Sequence, residues 1–230
     1  MDRPTALATP MKDAASSVIR LWDGVIERAE QLDGDDWLRP TPDRDMDVRA
    51  LVVHLTTTLS PAAARGATTI LLEQLRATRD AQAVRLSGLA EEADEAGQAG
   101  AQSTRGQRLL RASCLDMFVH AHDLSVALGH EPDLDDSAAA TEACRYLMPM
   151  VGHLLTGEVG LAPASSVRLD VAGLQPPPGQ PGTDVVTATP AALVLLLSGR
   201  GDADAWRERG ALSWSGPTAD AFVRRARLFS

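Results

Sequence analysis

Asp116 and His120 stand four residues apart in a stretch with helical periodicity, Gln107–Leu128. That spacing stacks the two side chains on one helix face, with about 6 Å between their Cβ atoms. Ser113 and Asp123 fall on the same face. His122 is turned about 200° from His120, at roughly 100° per residue, and points elsewhere. A further histidine, His54, lies beside the apolar stripe of an earlier helical segment. Facing helices of a bundle can bring one histidine from each to a common point. Two imidazoles and one carboxylate suit a divalent ion, zinc first, with nickel or iron(II) also served by this donor set. Three protein ligands leave coordination positions open for water or substrate. Asp123, one turn after His120, is placed to accept a hydrogen bond from a ligand histidine and orient it. A plainer reading stands beside this one: a solvent-facing Asp–His pair and a core histidine at position 54. Spacing alone favours the plainer reading, because D-x-x-x-H is common on ordinary helices.

The elements that must position these residues are mainly helical. Val18, Leu21, Trp22, Val25, Ile26 and Ala29 recur at helical spacing over 11–32. Asp33-Gly34-Asp35-Asp36 stops that helix, and the proline-containing stretch to Asp45 is a loop. Asp47 is a cap for a second helix with the stripe Val48, Leu51, Val52 and Leu55. After Pro61 a helical stretch runs over about 62–89, and 91–106 reads as an exposed, mobile connection. Gln107–Leu128 ends at Gly129, and 137–155 is a last long helix with Pro149 inside it. A four-helix bundle over residues 1–160 follows.

The character changes after Gly160. Val167–Val171 alternates like a half-buried strand, and 184–188 and 212–215 are further strand candidates. Thr189 and Pro190 open a short helix to Leu197, and 218–228 is a terminal helix. Residues 161–230 are therefore read as a small α+β domain.

Composition bounds the rest. Aromatic residues are 3 % of the chain, so the core is built from Leu, Val and Ala. The formal charge of −9 argues against nucleic acid and anionic membrane as partners. No apolar run is long enough to span a bilayer, so the chain is expected to be soluble and cytoplasmic. Cys114 and Cys144 lie in apolar helical segments without ligand spacing and are read as reduced, buried thiols.

The order of motifs resembles a known family. Trp37-Leu38-Arg39-Pro40-Thr41 followed by Val48-Arg49-Ala50-Leu51-Val52-Val53-His54-Leu55 is similar to the opening of the mycothiol-dependent maleylpyruvate isomerase family, within the DinB-like (YfiT-like) metalloenzyme superfamily. The later family signature, E-x-x-x-H-x-x-D-L-x-x-A-x-G, is matched by Asp116, His120, Asp123, Leu124, Ala127 and Gly129. The segment 189–200, ending in Gly199-Arg200, looks like that of the family's C-terminal domain.

The resemblance implies a DinB-like bundle followed by a sterol-carrier-like α+β domain. It implies His54, Asp116 and His120 as metal ligands and mycothiol as the low-molecular-weight thiol cosubstrate. It implies isomerisation or S-transfer on a small electrophilic substrate, as in conversion of maleylpyruvate to fumarylpyruvate. It also implies a catalytic role for Arg200, holding a substrate carboxylate as a bidentate fork. The residue-level alternative for Arg200 is a cation closing the helix that starts at Pro190. The chain departs from the family at Asp116, where glutamate is usual, and at Met46, Ala50 and His122. The competing function is a non-catalytic metal- or small-ligand-binding protein of the same fold. Either a monomer or a homodimer agrees with the sequence.

Overall fold

The computed structural model describes residues 11–57, 68–98, 104–130, 137–151, 167–175 and 183–228. The chain divides into two compact units, one of residues 10–133 and one that takes in residues 134–230.

Among the described residues, the first unit holds four α-helices: α1 (Met11–Glu30), α2 (Val48–Thr57), α3 (Thr68–Gln98) and α4 (Arg105–Ala127). α1 packs on α3 and α4, α3 packs on α4, and α2 packs on both α3 and α4. Of the apolar stripe read for α1, Val18, Trp22, Val25 and Ala29 are at most 4 % exposed, and Leu21 and Ile26 are half-buried. Val48, Leu51, Val52 and Leu55 of α2 are buried as well. Ion pairs from Arg76 to Glu30 and from Arg79 to Asp23 link α3 to α1 on the surface. Such exposed pairs contribute at most about 1 kcal/mol. The apolar stripes hold the helices together.

Local signals set the helix ends. Asp47 Oδ1 accepts from the Ala50 amide at 2.7 Å, the cap expected for α2. Thr104 and Gln107 form a reciprocal capping box at the start of α4. α3 runs on to Gln98, so much of the connection read as mobile is helix. The physical reason is that Ala90 and Ala93 are buried, and the Glu and Ala residues of 90–96 are good helix formers. Pro61 lies outside the described residues.

In the second unit, α5 (Ala138–Leu147) gives way to a 3-10 turn at Met148–Met150, around Pro149. Residues 152–155 of the helix expected there lie outside the described residues. Three strands, β1 (Val167–Val171), β2 (Asp184–Ala188) and β3 (Leu212–Ser215), form one sheet in the order β1-β2-β3. β1 and β2 are parallel, with Val167 opposite Asp184, and β2 and β3 are antiparallel, with Val186 opposite Trp214. Val167, Leu169 and Val171 face the core, as their alternation predicts.

Among the described residues, three further short helices come after β2 in this unit: α6 (Pro190–Leu197), α7 (Ala203–Glu208) and α8 (Pro217–Arg225). Thr189 caps α6, with Pro190 in its first turn. All eight residues of α6 are buried, which explains why it is apolar on every side. α5 packs against α6 and so belongs to the unit of the sheet. The division between units falls ahead of residue 160, where the sequence changes character.

Candidate metal centre

α2 supplies His54, and α4 supplies Asp116, His120 and Asp123. The single turn between Asp116 and His120 brings His120 Nε2 to 3.4 Å from Asp116 Oδ1. Packing of α2 on α4 adds the third group. The His54 and His120 rings meet edge to face, with centroids 4.8 Å apart and planes at 61°. One ligand atom from each of His54, Asp116 and His120 lies within 4.8 Å of the others.

The donor set and spacing fit a divalent ion. Donors bonded at about 2.1 Å in a tetrahedron stand about 3.4 Å apart, the separation already found between Asp116 and His120. A pair as far apart as 4.8 Å must close by about 1.4 Å to share one ion. The side chains differ in their freedom to do this. His120 is buried, His54 is half-buried, and the Asp116 side chain is 53 % exposed.

Asp123 is fully buried, and its Oδ2 lies 3.9 Å from His120 Nδ1. That nitrogen is buried without a hydrogen bond. The separation is too long for a hydrogen bond, but the carboxylate stands on the side of the ring away from Asp116. A proton on Nδ1 would face Asp123 and leave the Nε2 lone pair for an ion.

The other described histidines, His122 and His130, are not part of the cluster. His122 is buried, His130 is exposed, and His153 lies outside the described residues. Arg200 belongs to the second unit and is 8 % exposed. Its guanidinium donates from Nη1 to the Ser198 carbonyl at 2.6 Å, just past the end of α6. That bond is the one expected of a cation closing the helix.

One feature of the site was not read from the sequence. A groove of about 420 Å³ opens beside the cluster, with Asp116 in its wall. Trp22 and Met117 are nearly buried and also line it. Gln82, Arg85 and Leu86 line it from α3. The available signal was their i, i+3, i+4 spacing, which puts the three on one helix face.

No family model matches the chain, and no curated protein matches it. Among solved structures, the chain is similar to a mycothiol-dependent maleylpyruvate isomerase, with 14 % identity, a TM-score of 0.48, and 93 % of this chain and 96 % of that chain covered. A mutant of the mycothiol-dependent maleylpyruvate isomerase gives 14 % identity and a TM-score of 0.46 over the same shares. At this distance the likeness carries no assignment of activity. No helix among the described residues is long and apolar enough to cross a membrane.

Proposed function

We propose that the chain binds one divalent metal ion through His54, Asp116 and His120 and acts as a thiol-dependent isomerase or S-transferase on a small electrophile. The observation that carries this reading is the convergence of two imidazoles and one carboxylate from two helices within 4.8 Å. The motif order along the sequence supports the same ligand set and supports mycothiol as the thiol. Zinc fits two nitrogens and one oxygen, and nickel or iron(II) would be held by the same atoms.

In this reading each residue has a separate task. His54, Asp116 and His120 hold the ion, and Asp123 fixes the orientation of His120. A bound divalent ion with open positions lowers the pKa of a thiol and favours thiolate near neutral pH. Thiolate addition to a conjugated carbon turns the double bond into a single bond. Rotation and loss of the same thiolate restore the double bond in the other geometry. The motif order also supports Arg200, of the second unit, as a carboxylate-binding residue.

A second reading, a metal- or small-ligand-binding protein without catalysis, is favoured by the exposure and short reach of Asp116. Asp116→Glu separates the two. The added methylene should help close the ligand spacing, raising zinc affinity about tenfold. A much larger gain would mark the native site as compromised and support the non-catalytic reading. No gain would show aspartate to be an adequate ligand. Assay of maleylpyruvate isomerisation with added mycothiol tests the activity itself.

A further inference from the structure

The groove beside the metal cluster is built in two parts. Its floor is apolar: Trp22, Leu55, Leu86 and Met117, each no more than 4 % exposed. Its rim carries Gln82, Arg85, Ala112 and Asp116. Two residues tie it to the cluster. Asp116 is a candidate ligand and lines the groove, and Leu55 follows His54 on α2. An ion held by Asp116 therefore borders this space.

We propose that the groove is a substrate subsite for an apolar body, and that the ligand is amphipathic: an aryl or short alkyl group along Trp22, Leu86 and Met117, joined to a polar head that reaches the ion. This rests on the proposed metal site. A volume of about 420 Å³ falls within the range of small-molecule pockets. The floor side chains named offer almost no hydrogen-bonding partner. A sugar-like or fully hydrophilic body would lose its water there without replacement, which is costly. An apolar body gains from the same surface. The polar groups stand at the mouth, where Arg85 Nη1 donates to Gln82 Oε1 at 3.1 Å. That pair suits a polar or anionic end group at the solvent side.

The probes are two zinc-chelating hydroxamates that differ in their bodies: acetohydroxamate and 3-phenylpropionohydroxamate. Zinc-loaded protein is titrated with each by calorimetry, after its zinc content has been measured. The phenyl compound is expected to bind at least about tenfold more tightly. In Ala112→Phe, which fills the groove from α4, that ratio should fall to within about twofold while one zinc per chain is retained. Gln82→Phe repeats the block from α3, so that poor folding of one variant does not decide the matter. Equal affinities in the unaltered protein, or a tenfold preference that survives both blocks, would overturn the apolar subsite. Failure of the unaltered protein to take up zinc would overturn the metal reading, and this inference with it.

Discussion

Asp123 has no exposed surface, yet its carboxylate stands 3.9 Å from the ring nitrogen of a candidate metal ligand. In the proposed site a carboxylate at that position would favour the proton on His120 Nδ1 and leave Nε2 for the ion. Asp123→Asn keeps the shape and removes the charge. It should lower zinc affinity about 10–100-fold, measured by competition with a chelator. An unchanged affinity would remove Asp123 from the site. The Asp116–His120 pair was legible because a four-residue step on a helix is a local matter. The contribution of His54 needed the packing of α2 on α4, which spacing cannot supply. It became readable only through the order of motifs. Gln82 and Arg85 stayed hidden because their facing depends on how α3 and α4 meet.

Asp184 joins elements of the second unit. Its Oδ2 accepts from the Thr218 amide at 2.6 Å and so caps the first turn of α8. That backbone hydrogen bond is the main cause holding its carboxyl below the ordinary value of 3.8. The sign follows from linkage. A carboxyl with a depressed folded pKa stabilises above its unfolded value and loses that contribution as pH falls through the folded value. Asp184→Asn should therefore destabilise the protein near pH 6, and the difference from the unaltered protein should shrink below about pH 4. Urea unfolding at both pH values reads this. A difference that does not change with pH would contradict it. Gly216 explains the tight approach. Its φ is +94°, and a side chain there would overlap the Asp184 carboxylate. Strands and caps in this unit were legible in the sequence. β1 alternates at period two, and Thr189-Pro190 announces α6. The length of α3 was not, because Gly and polar residues near 97–106 mask the helix formers before them.

The three candidate metal ligands, His54, Asp116 and His120, lie within residues 10–133, while Arg200 belongs to the other unit. The partition between units was less legible than the pairing of Asp116 with His120. A change in composition after Gly160 is visible in sequence, but the grouping of α5 with the sheet arises from packing on α6. α5 carries an apolar helical pattern that would serve equally well in either unit. The central claim is that one ion is held by residues from α2 and α4 together. Metal analysis of the purified protein, alongside His54→Ala and His120→Ala, tests it most directly. About one divalent ion per chain is expected in the unaltered protein, with the metal lost from each variant. Unchanged metal content in both variants would contradict it.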